Sequence, residues 1–230
     1  MSFSGFPAET FDFLRGLSAN NNRDWFQEHR AEYERSYRDA AIDFIAALGP
    51  QLEAVAPGLR HEPRVGGSLF RVNRDPRFSR DKRPYKDHVD IFFWFGQDRG
   101  WETPGFFFRM LADELILGAG MHKFHPEQLT SFRSGVTDPD RGDKLGRLIA
   151  SLEEAGYPVG GWGTELKRTP AGYDAPPERE WLLRQTGLFA MRTGPVPEEA
   201  QSPQFVDYCL EHYKALWPLD RWLLDALQAP

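Results

Sequence analysis

The chain has 230 residues, of which 40% are hydrophobic and 27% charged, so it can bury a core without metals or disulfides and is not expected to be disordered except at its ends. Its 34 acidic residues outnumber 28 Lys and Arg, and a formal net charge of -6 disfavours a general nucleic-acid coat protein, which depends on many cation contacts to phosphate. The single cysteine, Cys209, excludes an internal disulfide, and no apolar run approaches the about 20 residues a membrane helix requires.

Residues 1–15 lack the basic start and continuous apolar stretch of a secretory signal, so the expectation is a cytoplasmic protein folded as one domain over residues 1–230. Phe3, Phe6, Phe11, Phe13 and Leu14 surround a first helix that starts near Pro7 and is stopped by the asparagines at 20–22. From Arg23 onward, Trp25, Phe26, Tyr33, Tyr37, Ala40, Ala41, Phe44, Ile45 and Leu48 recur at three and four residues. This spacing predicts one long amphipathic helix to about Val55, capped by Asn22 or Asp24 and closed by Pro57-Gly58.

Between 68 and 122 the pattern changes to β-branched and aromatic residues punctuated by turns. Residues 68–73, 88–95, 105–112 and 115–121 read as strands, with Asp113-Glu114 a tight connection, and such short links imply antiparallel pairing. Phe92, Phe93, Trp94 and Phe95 do not alternate with polar residues, as expected of a strand covered on both faces. Helices are predicted from Pro126, over 140–156 and over 178–185. A strand is predicted to end the Gly-rich 157–169 stretch, and 188–192 reads as a return to the sheet. The Pro- and Glu-rich residues 193–203 read as a linker, and a closing helix carrying Phe205, Tyr208, Cys209, Tyr213, Leu216 and Trp217 is expected to break or kink at Pro218. The fold class is therefore α+β, a central mostly antiparallel sheet covered by helices with long helices near both termini.

The most unusual segment is LFRVNRDPRFSRDKRPYK, residues 69–86. From Arg71 to Lys86 it carries seven basic residues against two acidic ones, a local net of +5 in an acidic chain, which would draw an anion toward it. Pro76 and Pro84 stiffen the loop, and guanidinium forks suit carboxylate or phosphate groups. Strand alternation would put Leu69, Arg71 and Asn73 on one face and Phe70 and Val72 on the other. The reading is a cleft for a small anionic or phosphorylated ligand lined by Arg71, Arg74, Arg77, Lys82, Lys86 and Lys167, with Asp75, Asp81 and Tyr85 as the acid-base candidates. Two alternatives stand beside it. One is a nucleic-acid or protein-interaction module, the nucleic acid being the less favoured partner; the other is a purely structural ion-pair network in which Asp75 and Asp81 hold the arginines.

The same run resembles the most distinctive block of a widespread bacterial and fungal family of conserved hypothetical proteins, a domain of unknown function. Supporting matches are Trp25-Phe26 with Tyr33, Gly105-Phe106-Phe107, Gly118-Ala119-Gly120-Met121, and the stretch LKRTPAGY at 166–173, together spanning most of the chain. The resemblance implies a single α+β domain with a shared site and brings no established reaction. Where that family often continues with Asp-His-Pro, this chain has Asp174-Ala175-Pro176, so no mechanism using that histidine as a general base is expected.

Other motifs carry less. His122 and His125 are the closest pair among six histidines, but nothing resembles a zincin motif, so no metal and no cofactor is expected. Gly118-Ala119-Gly120 lacks the remainder of a phosphate-binding loop and is better read as a close backbone approach. Ser79, among Arg77, Arg80 and Lys82, is a weak nucleophile candidate.

Overall fold

A computed structural model describes residues 3–75, 81–97, 103–161 and 165–227. Six strands, β1 (Leu59–Arg60), β2 (Val89–Phe95), β3 (Gly105–Met110), β4 (Glu114–Met121), β5 (Val159–Gly160) and β6 (Leu188–Pro195), form one antiparallel sheet in the order β1-β2-β3-β4-β6-β5. The helices are α1 (Ala8–Ala19), α2 (Arg23–Glu28), α3 (Arg30–Glu32), α4 (Ala40–Val55), α5 (Pro126–Thr137), α6 (Pro139–Glu154), α7 (Pro177–Leu183) and α8 (Phe205–Leu227). This is the α+β architecture expected from the sequence. The chain divides into two compact units, one made of Met1–Phe93, Phe107–Leu117 and Thr193–His212, the other of Trp94–Phe106, Gly118–Arg192 and Tyr213–Pro230.

In the first unit the early phenylalanines build the core. Phe44 of α4 lies 5.2 Å from Phe108 of β3 and 5.3 Å from Phe205 of α8, with Phe6 5.5 Å away, and all four rings are fully buried. Burying each such side chain stabilises by about 1.5–3 kcal/mol, so this cluster fastens helix to sheet. All seven residues of β2 are buried, Asp90 among them, as the lack of alternation over residues 92–95 implied for that part of the strand.

The predicted long helix over 23–55 is instead interrupted. Asn22 caps α2 as expected, its side chain accepting from the Trp25 N–H at 3.0 Å. At His29 the ring nitrogen Nδ1 lies 2.8 Å from the Trp25 carbonyl and the ring stacks on Trp25 at 3.9 Å, so the side chain competes for a carbonyl at this point. The chain then winds as a wider π-helical stretch, Tyr33–Asp39, before α4. That stretch sends the Ser36 carbonyl to the Thr10 hydroxyl at 2.6 Å and points fully buried Tyr37 inward, its hydroxyl donating to the His88 carbonyl at 2.8 Å.

Two other expectations are corrected. Residues 193–203 are not a free linker: 193–195 complete β6, Glu198–Gln201 form a 3-10 turn, and the fully buried Ala200 accepts from the Phe6 N–H at 2.8 Å. Of the break or kink expected at Pro218, the break is absent, because α8 is continuous from Phe205 to Leu227. Fully buried Leu216, Leu219 and Leu223 hold its inner face, which outweighs the roughly 3 kcal/mol typical of an interior proline.

In the second unit Phe106 of β3 packs on Tyr213 of α8 at 4.9 Å, and Phe95 of β2 stacks on Trp217 at 5.4 Å. Phe132 of α5 meets Trp222 edge-on at 6.0 Å. Gly120 has φ +134°, and a Cβ there would fall 2.1 Å from the Leu188 carbonyl oxygen of β6, so the glycine motif in β4 serves a close backbone approach, as its sequence suggested. Asp220 of α8 is fully buried in this unit. Its carboxyl faces the backbone of Gly105 and Gly120 without a well-aligned hydrogen bond to either oxygen, and burial pushes its pKa well up despite those N–H groups. No helix among the described residues is long and apolar enough to cross a membrane.

Candidate functional site

The arms of the basic segment lie side by side in the first unit. Asn73 bridges Tyr85 in antiparallel register, the Lys86 N–H donates to the Val72 carbonyl and the Arg74 N–H to the Pro84 carbonyl, both at 2.8 Å. Nearer the sheet, Leu69 bridges Ile91 of β2. The stretch predicted as a strand at 68–73 thus carries isolated bridges at Leu69 and Asn73 rather than forming a continuous strand. Buried Leu69 and Val72 stand three residues apart, out of strict alternation, which leaves Arg71 and Asn73 exposed. Tyr85 is clamped from outside, since the Asn21 side-chain amide accepts from its N–H at 3.1 Å and donates to its carbonyl at 3.0 Å, while the buried ring stacks on Phe26 at 4.1 Å.

Three carboxylates receive the cations. Asp81 is bonded by the Arg74 guanidinium and by Arg83 through Nη2 at 2.8 Å, Nε at 2.9 Å and its backbone N–H at 3.0 Å. Asp87 takes Arg83 Nη1 at 2.7 Å and His88 Nδ1 at 3.1 Å. Asp90, on β2, takes Arg109 Nε at 2.7 Å and Nη2 at 3.2 Å, Lys86 Nζ at 3.0 Å and His88 Nε2 at 3.2 Å. Each nitrogen of His88 faces a carboxylate oxygen. Ionised carboxylates only accept, so both bonds form together only when the ring carries both protons. Lys86 also lies over the Phe70 ring at 4.7 Å.

The electrostatics follow from these contacts. Hydrogen bonds from the Arg83 side chain and backbone hold Asp81 far below the usual carboxylate range, and Asp81 in turn raises Arg83. Burial alone would push Asp90 up, but bonds from His88 and Arg109 and the charge of Lys86 bring it far below its ordinary value; Asp87 is lowered against the same burial effect by its own backbone N–H, His88 and Arg83. Such carboxylates make poor proton acceptors near neutrality. Tyr37 beside them is pushed well up, first by burial and then by the charge of Asp90.

Of the residues singled out in the sequence, the structure brings together Arg74, Asp81, Tyr85 and Lys86 on one stem. Arg71, Asp75 and Lys82 are exposed, and Arg71 has no hydrogen-bond or ion-pair partner among the described residues. Arg77, together with Ser79 and Arg80, lies outside the described residues. Lys167 is exposed in the second unit. Among the described residues no three His, Cys, Asp or Glu side chains converge on a point where a metal could sit.

Beside the stem opens a cleft of about 510 Å³, within the usual range for small-molecule sites. Leu14, Ala19, Leu111 and Ala112 give it an apolar floor, and Arg15, Ser18, Asp87, Asp113 and Glu114 its polar walls. Arg15 reaches Asp113 at 3.0 Å and Asp12 at 3.1 Å, but all three side chains are more than half exposed, so these pairs are easily exchanged. A family model described as a conserved hypothetical protein, DUF2461, matches residues 9–222. The chain belongs to that family. No curated protein matches it.

For this DUF2461 member, sequence reading missed Asp87, His88, Asp90 and Arg109. Asp87 directly follows Lys86, the last residue of the basic run. The stronger signal was Asp90, a lone carboxylate within the apolar run VDIFFWF, since a charge buried in a strand has to be paired. Arg109 sits at the matching place in GFFFRM, an equally apolar strand.

Proposed function

We propose that the basic segment serves chiefly as a rigid ion-paired scaffold and that recognition takes place in the adjoining cleft, which binds a small zwitterionic or ammonium-bearing ligand. The supporting observation is that Asp87 belongs both to the network and to the cleft wall, so the scaffold holds a carboxylate of lowered pKa against a cavity. With Asp113 and Glu114 it would attract an ammonium group, while Arg15, only loosely held, would take a carboxylate at the ligand's other end. The test is a thermal-shift titration with lysine, other amino acids and short diamines. A stabilising ligand is expected whose effect is lost in Asp113→Asn and Glu114→Gln, with the ligand-free melting temperature unchanged. No shift across the panel would refute this reading.

A second reading is the small anionic ligand anticipated from charge, favoured by exposed, unpartnered Arg71 and by the positive excess of its segment. It predicts stabilisation by phosphorylated metabolites that Arg71→Ala removes. Salt distinguishes a nucleic-acid partner, whose affinity for about six phosphate contacts would fall by roughly a thousandfold between 50 and 200 mM.

A further inference from the structure

Among the described residues the second unit contains two buried arginines, one paired with a carboxylate and one not. Arg179 of α7, 4% exposed, is ion-paired with Asp143 of α6. Arg133 of α5, 9% exposed, has no carboxylate partner among the described residues. Its Nε donates to the Leu183 carbonyl at 3.0 Å, at the C-terminal end of α7, and its Nη2 is buried with no hydrogen-bond partner. A guanidinium held out of water by one neutral carbonyl is costly, and a group kept in that condition calls for a reason.

What covers it is Tyr173, whose ring centroid is 5.6 Å from the guanidinium carbon. Tyr173 ends the LKRTPAGY stretch, is only half-buried, and follows Gly172, whose φ of +86° and open surroundings place it at an exposed turn. An aromatic face stabilises a cation but supplies no acceptor in the plane of the fork. We propose that Arg133 is a covered oxyanion site, in which Tyr173 moves aside and the Nη1 and Nη2 edge receives a carboxylate or phosphate group. The carbonyl of Leu183 fixes the guanidinium plane in advance, so little side-chain freedom remains to be lost on binding. Exposed Lys167 and Arg168 earlier in the same stretch add positive charge to the segment an approaching anion meets. Desolvation already pulls the Arg133 pKa down, the direction an arriving anion would reverse. This site is independent of the cleft reading.

The experiment is labelling of the full-length protein with an arginine-selective dicarbonyl reagent, mapped by mass spectrometry, in the presence and absence of inorganic phosphate or acetate. Tyr173→Ala is expected to increase labelling of Arg133 severalfold, and either anion to suppress it in both proteins. The more protective anion identifies the preferred headgroup. Calorimetry should show phosphate or acetate binding weakened by about tenfold or more in Arg133→Met, the loss typical of a charged hydrogen bond. Unchanged Arg133 labelling at tens of millimolar of both anions, or binding retained in Arg133→Met, overturns the proposal. If Arg133→Met does not fold, the protection measurement on the wild-type chain decides alone.

Discussion

Replacing Asp90 by Asn is expected to destabilise the protein more than any other single change in the network. The carboxylate makes four hydrogen bonds, to Lys86, His88 and twice to Arg109, and is 5% exposed, while Lys86 and Arg109 are only 20% and 29% exposed. Removing one member of a buried charge pair costs about 3–5 kcal/mol, and the partial exposure of the two cations puts the loss near 3, or roughly 6–12 °C in melting temperature for a chain of this size. The pH dependence provides a second check. Because the folded-state pKa of Asp90 lies below its unfolded value, its contribution is fully present above about pH 4 and lost as the pH falls through the folded value. The difference between wild type and Asp90→Asn, followed by denaturant titration, should therefore shrink as the pH drops below about 4. A variant as stable as wild type at pH 7 would mean that the cations are satisfied by solvent, and the scaffold reading would fail.

Asp220→Asn should have the opposite sign. Here burial raises the folded pKa, so the contribution is greatest below the unfolded value near 4 and is lost as the pH climbs toward the folded one. The amide keeps one acceptor toward the backbone of Gly105 and Gly120 and removes the cost of holding the group protonated. The variant should therefore be more stable than wild type at pH 7, with the gain disappearing below about pH 4. Equal stability at both pH values would show that the carboxyl is not held neutral. Together the two substitutions compare carboxylates in one chain whose environments drive them in opposite directions.

Much of this fold was legible because periodicity survives burial. The apolar spacing of α1, α5, α6 and α8 and the unbroken run in β2 correspond to elements within a few residues of their predicted positions. The interruption at His29 was not legible, because it depends on an imidazole competing for a carbonyl beneath an indole, a contact without a spacing signature. Neither was the ordering of residues 193–203, whose composition reads as loop and whose anchoring depends on Phe6, nearly two hundred residues earlier in the chain. The site was half legible. The charge segregation drew attention to the correct stem, but the partners of Lys86 were Asp90 and Phe70, and the cleft wall is assembled from α1, Asp87 and the turn after β3. Such a cavity is a product of tertiary proximity, which a local charge count does not register.

The wide turn of Tyr33–Asp39 sets the register of α4. A π-helical stretch amounts to an α-helix with one residue too many, and rewinding it regularly at unchanged length would rotate every following side chain by about 100°. Tyr37 would swing away from the His88 carbonyl, and the backbone between Asp87 and Asp90 would lose the strut that keeps both carboxylates in register. A single-residue deletion here should therefore be taken up by the bulge and leave α4 in register, at the cost of the Ser36 and Tyr37 contacts made inside it.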